Sequence, residues 1–552
     1  MNENFNGFRK LHKLLLLEKP EIISIYFYAA LSGLLQLTLP LGIQAIIGLV
    51  LGATMVTSVY ILIFFIVLGT ALIGVLRLNQ MKIIEKVQQK IFVRYAFAFS
   101  NKIPHLDSKA TDQYYLPEKI NRFFDTLTIQ KGLSKLLLDI PIATIQIFLG
   151  LLLITFYHPL FIVFDMIVVL ILVLLLKSTY KSGLETSIEE SNYKYSLVAW
   201  LQEMSRVINA LRFNNGASFA FSKTDNRMLK YINARTSHFK ILFFQYKSII
   251  VFKVLITAVL LILGNYLLFN QGLNIGEFVA IEIVIIMVIA SVEKLITNLE
   301  NVYDVITGLI KLDSVTEISP EESGNLEMEI QNQAIKIEFK NVHFSYDEYS
   351  TMFNDLSCII PPNSITQIRG KTGSGKSSIL KLISGNYLDF RGLILINDIS
   401  ITNYSLQSLR HKIGILLHQH DIFDGNLYEN IVVGRTEVSQ TEIFNIAKKI
   451  GIEDFITDLP LAWKTKIDPL GKKLPSGLIN KILILRALVG NPNILLLEEP
   501  WLGVNTGVKT KIINYLNSIK SDKTIVVVGN DSEMERYADH KITLENGKSI
   551  EN

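Results

Sequence analysis

Residues 22–76 form an apolar run without a single charged side chain, and this run limits most strongly what the chain can fold into. Its about 55 residues suffice for two helical membrane crossings of roughly 20 residues each, joined by a tight turn that we place at residues 51–57. Across the chain 49% of residues are hydrophobic and only 19% are charged, against about 25% charged residues in soluble domains. Part of the chain is therefore expected to lie in a lipid bilayer.

Two further pairs of apolar runs follow. Residues 140–176 are interrupted by a turn at residues 157–159, and residues 251–269 and 277–296 are separated by a polar turn. Six spans are therefore predicted. The short turns contain no Lys or Arg, whereas the long connections carry many, so the positive-inside rule places the long connections in the cytoplasm. We expect a multi-pass protein of the bacterial cytoplasmic (inner) membrane with both termini cytoplasmic, whose spans continue as helices beyond the bilayer.

The character of the sequence changes after the last span. Residues 316–334 are polar and acidic, and from residue 335 short β-branched runs alternate with helical segments, as in α/β domains. The sequence predicts a cytoplasmic or interfacial elbow at residues 1–20 and a six-helix transmembrane domain at residues 21–315. A linker at residues 316–334 and a soluble domain at residues 335–552 follow.

A glycine-rich loop in the soluble domain follows a predicted strand and opens a predicted helix. Its pattern is G-x-x-x-x-G-K-[ST], the phosphate-binding loop, formed by Gly370, Lys371, Thr372, Gly373, Ser374, Gly375, Lys376 and Ser377, with Ser378 next in the helix. Glycines let successive backbone N–H groups surround a phosphate at a helix N-terminus. Lys376 is expected to reach the β- and γ-phosphates of ATP, and the Ser377 hydroxyl to ligate Mg²⁺. The expected fold is an all-α six-helix transmembrane domain followed by an α/β P-loop NTPase domain.

A second segment adds carboxylates to this site. The apolar residues 494–497 are followed by Glu498 and Glu499, at the end of a buried strand. A magnesium ligand and a group that orients the attacking water are expected at such a position.

Six spans, long cytoplasmic helices and this phosphate loop, in this order, resemble the ABC exporter family, including its type I secretion and peptide-export branch. The resemblance implies ATP-driven export of a substrate by alternating access. It also implies a homodimer, or a heterodimer with a second half-transporter, in a lipid bilayer; a periplasmic adaptor protein is a further candidate partner. A nucleic-acid partner is not expected, because the net charge is only +4.

The resemblance assigns roles to further residues. Tyr346 would stack on adenine, and Glu499 would be the catalytic carboxylate. Glu498 stands where the family has an aspartate that binds the metal. His418 occupies the position of the family's glutamine when counted back from Phe423, with Gln419 one place late, and both stay candidates.

Two segments depart from the family pattern. The signature segment contains Ser476 and Gly477, with Pro475 at the serine position when it is counted back from residues 486–488. A shift of one residue would instead place Ser476 and Gly477 in the motif, and the sequence leaves this register open. Asn530 replaces the switch histidine and cannot carry its positive charge. These changes predict slow hydrolysis that Asn530→His should accelerate. The alternative function is a hydrolysis-poor ATP-binding accessory or regulatory subunit of a heterodimeric transporter.

Overall fold

The computed structural model describes residues 2–52, 56–112, 116–213, 215–328, 335–347, 351–417, 421–468 and 474–551. The chain divides into two compact units. The first comprises Met1–Pro104 and Tyr114–Ile318, and the second comprises His105–Gln113 and Ser319–Asn552. A short segment inside the helical half of the sequence thus groups with the C-terminal unit.

The described residues of the first unit are helical almost throughout. Its helices, with α5 of the second unit, are α1 Asn2–Leu17, α2 Lys19–Gln36, α3 Thr38–Leu51, α4 Val56–Lys102, α5 Ser108–Asp112, α6 Leu116–Ile120, α7 Asp125–Tyr157, α8 Leu160–Arg206, α9 Ile208–Leu211, α10 Gly216–Phe269, α11 Ile275–Thr297 and α12 Leu299–Thr316. Within the described part of the chain, six stretches of these helices are long and apolar enough to cross a membrane. The six predicted spans are confirmed.

Local sequence explains where these helices stop. Helix α7 ends at Tyr157, and α8 begins after Pro159, whose fixed φ suits a helix start. Asn274 caps α11: its side chain accepts the Glu277 N–H while the Glu277 carboxylate accepts the Asn274 N–H, each at 2.8 Å. Such a reciprocal cap satisfies two backbone donors that the first helical turn leaves free.

The first unit buries one face of each long helix and leaves other faces apolar and open. Helix α7 packs against α11 and α12, and α8 packs against α10. Large side chains such as Phe64, Phe156 and Ile262 remain more than 60% exposed. A surface of this kind fits lipid, where helices satisfy their backbone hydrogen bonds internally.

The second unit contains an antiparallel sheet and a mostly parallel sheet. Their strands are β1 Ile337–Ser345, β2 Thr351–Ile360, β3 Ile365–Gly370, β4 Arg391–Ile396, β5 Ile399–Ser400, β6 Ile413–Leu416, β9 Ile494–Glu498, β10 Thr524–Val528, β11 His540–Glu545 and β12 Lys548–Glu551. A separate two-stranded antiparallel sheet consists of β7 Gly425–Asn426 and β8 Lys466–Ile467. The antiparallel sheet has the order β2-β1-β4-β5, and the other sheet has the order β12-β11-β3-β10-β9-β6.

The second unit also contains the helices α13 Lys376–Ile383, α14 Leu406–His411, α15 Leu427–Val432, α16 Gln440–Ile450, α17 Asp454–Thr457, α18 Ser476–Leu488, α19 Thr506–Ile519 and α20 Ser532–Tyr537. Of these, α13, α14, α18 and α20 pack against strands of the parallel sheet. The central strands β9 and β10 are buried nearly throughout, which explains their continuous apolar sequence. Strands β3, β9 and β10 are parallel, so their carboxyl ends meet at one edge of the sheet. Ligands bind at this edge in α/β proteins.

Candidate functional site

The glycine-rich loop joins β3 to α13, the strand–loop–helix arrangement that the sequence predicts. Gly373 and Gly375 have φ angles of 83° and 94°, in the left-handed region. A Cβ atom at Gly375 would also lie 2.5 Å from the ring of Phe353. The loop therefore needs glycine at this position for both backbone conformation and space.

The Lys376 ammonium lies within this loop. It donates to the carbonyl oxygens of Gly370 and Lys371, each at 2.9 Å. Lys376 is also the first residue of α13, so its charge lies beside backbone N–H groups that a helix N-terminus leaves free. Together these groups form a positive site suited to phosphate.

Ser377 and Glu498 come together at the carboxyl edge. The Ser377 hydroxyl donates to Oε1 of Glu498, the last residue of β9. A hydroxyl and a carboxylate are oxygen ligands of the type that Mg²⁺ prefers. Among the described residues there is no cluster of three or more His, Cys, Asp or Glu that could hold a metal. The pair fits Mg²⁺ only if phosphate and water supply the other ligands.

Glu499 adopts an unusual backbone conformation directly after β9. Its φ is 39°, and its N–H donates to the Val528 carbonyl at 2.9 Å. A Cβ atom at Gly529 would lie 3.1 Å from Glu499 Cγ, so Gly529 leaves room for this side chain. Backbone strain of about 1–3 kcal/mol at a non-glycine residue is typical of functional sites.

Tyr346 is anchored to the phosphate-loop helix. Its hydroxyl is 2.9 Å from Ser378 Oγ, and its ring meets the ring of Tyr387 edge-on at 5.3 Å. The Tyr387 hydroxyl donates to Oδ2 of Asp112 at 2.6 Å. Burial raises the pKa of Tyr387, so it stays a donor. Tyr387 is a residue that the sequence analysis missed, since no local pattern indicates its contact with a side chain 275 positions away.

Asn530 lies against the start of the loop. Its Oδ1 accepts the Gly370 N–H at 3.1 Å, and its Nδ2 donates to the Gly370 carbonyl at 2.9 Å. Its neighbour Asp531 accepts the Lys509 ammonium at 2.5 Å. Burial opposes ionisation of Asp531, but Lys509 and the Met534 N–H lower its pKa below the ordinary value.

The signature segment begins α18. Pro475 is the N-cap residue, with no side-chain cap hydrogen bond, and Ser476 is the first helical residue. A Cβ atom at Gly477 would lie 2.5 Å from the Gly503 carbonyl oxygen, and Asn480 Nδ2 donates to the Leu502 carbonyl at 2.7 Å. The start of α18 is thus packed on the loop that follows Glu499.

A polar groove of about 1110 Å³ adjoins the loop, and the predicted site residues that line it are Gly370, Lys371, Thr372, Gly373, Ser374 and Asn530. Lys376, which bonds the Gly370 carbonyl, and the bonded pair of Ser377 and Glu498 are not among its lining residues. His418 and Gln419 lie outside the described residues.

The ABC transporter family model matches residues 353–502. An uncharacterized ABC transporter ATP-binding protein of Bacillus subtilis is 33% identical over 53% of this chain and 49% of its own length. The ATP-dependent lipid A-core flippase of Syntrophus aciditrophicus is 30% identical over 53% of this chain and 49% of its own length. The chain therefore spans about half the length of these curated relatives.

The fold has a counterpart that extends over nearly the whole chain. A bacterial Atm1-family ABC exporter with ATP bound superposes with a TM-score of 0.86, covering 97% of this chain and 94% of the exporter at 20% identity. The helical half, which the family model leaves unmatched, is thus also of exporter type in its fold. The comparisons thus show an ABC transporter match over residues 353–502 and, over nearly the whole chain, the fold of an ABC exporter, in which an N-terminal helical domain precedes a C-terminal α/β domain.

Proposed function

We propose that this chain is one half of a dimeric transporter that exports a substrate across a bacterial cytoplasmic membrane by binding and hydrolysing ATP. The observation that carries the proposal is that the described part of the chain holds six membrane-length helical stretches and a phosphate loop in which Lys376 bonds two loop carbonyls and Ser377 bonds Glu498. The likeness to exporters supports it. Both termini would be cytoplasmic, on the side of the positively charged connections.

Each site residue has a role in this proposal. The loop N–H groups and Lys376 would bind the phosphates, and Tyr346 would stack on adenine. Ser377 and Glu498 would hold Mg²⁺, which neutralises developing phosphate charge when bound. Glu499 would orient the attacking water and accept its proton.

A dimer would complete the site. A half-transporter has one phosphate loop and one signature segment, and ATP would lie between the loop of one chain and the α18 N-terminus of the other. Closure of two such sites would move the membrane helices from inward-facing to outward-facing, and hydrolysis would reset them. The partner is a second copy or another half-transporter, and an adaptor protein on the far side of the membrane is a further candidate.

Two observations favour a second candidate function, a hydrolysis-poor accessory subunit. The Asn530 amide is already bonded to Gly370. Pro475, at the N-cap of α18, offers no backbone N–H to a nucleotide held by the partner. Loss of one preorganised donor costs about 3–4 kcal/mol of transition-state stabilisation in well-studied enzymes.

ATP turnover by the purified full chain in lipid nanodiscs, with its oligomeric mass measured on the same sample, tests the proposal. We expect dimers that hydrolyse ATP with Mg²⁺, and loss of turnover in Glu499→Gln with ATP binding retained. Dimers that bind ATP without Glu499-dependent hydrolysis would instead support the accessory function. A chain that binds no ATP would refute both.

A further inference from the structure

Asn530 lies just beyond the end of strand β10, where the last residues of β3 no longer have β10 as their strand partner. Strands β10 and β3 run parallel and pair as far as Val528 and Ile368, two residues before β3 ends at Gly370. At Gly370, the side-chain amide of Asn530 makes the hydrogen bonds that a continued β10 would make. It accepts the Gly370 N–H and donates to the Gly370 carbonyl, as a strand partner would.

Hydrogen bonds hold the backbone on both sides of Asn530. Nε2 of Gln367, a fully buried residue of β3, donates to the carbonyls of Gly529 and Asp531, each at 3.0 Å. The Asp531 carboxylate caps α20 by accepting the N–H groups of Glu533 and Met534, each at 3.0 Å. Asn530 is therefore held rigidly against the first glycine of the loop.

The Gly370 carbonyl has two donors, Lys376 Nζ and Asn530 Nδ2, each at 2.9 Å. Should the Lys376 ammonium move toward a bound phosphate, this carbonyl would lose one of its two donors. Asn530 then supplies the donor that remains, and its Oδ1 keeps the Gly370 N–H in place. Loss of both contacts would leave the start of the loop free to move. The free-energy cost of ordering the loop on binding would then weaken nucleotide affinity.

We propose that Asn530 is a positioning residue that holds the start of the phosphate loop in its binding conformation, and so supports ATP and ADP binding equally. The inference rests on the proposed nucleotide site, but it differs from a switch residue that contacts the γ-phosphate. A contact with the γ-phosphate would favour ATP only, because ADP lacks that group.

Histidine cannot replace this contact. The amide of Asn530 presents its N–H and its carbonyl oxygen side by side, whereas the donor and acceptor nitrogens of a neutral imidazole point apart. We therefore expect Asn530→His to weaken nucleotide binding, whereas the faster hydrolysis predicted from the sequence concerns the rate of turnover and is a separate quantity.

The test compares dissociation constants for ADP and for the non-hydrolysable ATP analogue AMP-PNP, both with Mg²⁺, using the full chain in nanodiscs. Asn530→Ala should weaken both by the same factor, roughly tenfold for the loss of two hydrogen bonds. Asn530→Asp should also weaken both, since its two oxygens accept the Gly370 N–H but cannot donate to the carbonyl. Asn517→Ala, at an exposed asparagine of α19, is the matched control and should bind both as the parent does.

Three results separate the possibilities. Equal loss for ADP and AMP-PNP supports the proposal, whereas loss confined to AMP-PNP, or no loss for either, overturns it. A parent chain that binds neither nucleotide means that the proposed function itself has failed. Should Asn530→Ala fail to fold, as judged by size-exclusion chromatography and thermal melting, Asn530→His supplies the same comparison.

Discussion

Lys376→Ala removes the ammonium that donates to the Gly370 and Lys371 carbonyls at 2.9 Å each. Because two of the three Lys376 N–H groups already bond loop carbonyls, one N–H group remains to bond phosphate. We therefore assign the lysine the net value of one hydrogen bond to a charged group, about 1.5–3 kcal/mol. The variant should bind ATP about 10- to 150-fold more weakly.

Equilibrium binding of a fluorescent ATP analogue to the full chain in nanodiscs measures this effect. Lys448→Ala is the matched control, since Lys448 is exposed on α16. Thermal melting without nucleotide should show both variants folded. Unchanged ATP affinity in a folded Lys376→Ala protein would show that this loop is not the phosphate site.

Three further predictions concern topology, acid stability and the Tyr387 contact. In a Cys358→Ser background, a cysteine at Asn270 should react with a membrane-impermeant maleimide added outside the cell and one at Ser222 should not; outside labelling of position 222 would reverse the proposed orientation. Because Lys509 lowers the pKa of Asp531, their ion pair should stabilise the protein above the unfolded pKa of about 3.9 and lose this effect as the pH falls through the folded pKa. Melting temperatures between about pH 6 and pH 3 should therefore fall less steeply in Lys509→Met, and parallel curves would contradict the assignment. Tyr387→Phe should lose about 1 kcal/mol of stability with the Asp112 bond while keeping nucleotide affinity, whereas an unchanged melting temperature would show that the bond contributes nothing.

The sequence predicts the membrane half well because its signals are local. Apolar runs with few charges set the six spans, and polar turns end them: α10 stops at Phe269 and α11 begins at Ile275, on either side of the predicted turn. The grouping of His105–Gln113 with the C-terminal unit was not predicted. It depends on contacts such as Tyr387 with Asp112, between residues far apart in sequence.

In the candidate site too, local sequence patterns predict some residues, whereas contacts between distant segments are not predicted. A fixed spacing and a strand–loop–helix context reveal Lys376 and Ser377, and Glu498 follows from the apolar strand before it. The contact of Asn530 with Gly370 could not be predicted, because it joins the ends of two strands that are neighbours only in the folded sheet. Sequence alone also left the register of the signature segment open, whereas the structure starts α18 at Ser476 with Pro475 as its N-cap.

Nucleotide-driven movement of the membrane helices is the central claim, and distances between spin labels test it most directly. In the Cys358→Ser, Glu499→Gln background, a nitroxide on a cysteine at Asn270 would mark the outer end of α10 in each copy of a homodimer. Electron–electron resonance in nanodiscs should give a longer distance with Mg²⁺ and ATP than without nucleotide, and Lys376→Ala should abolish the change. Identical distance distributions with and without bound ATP would contradict the account.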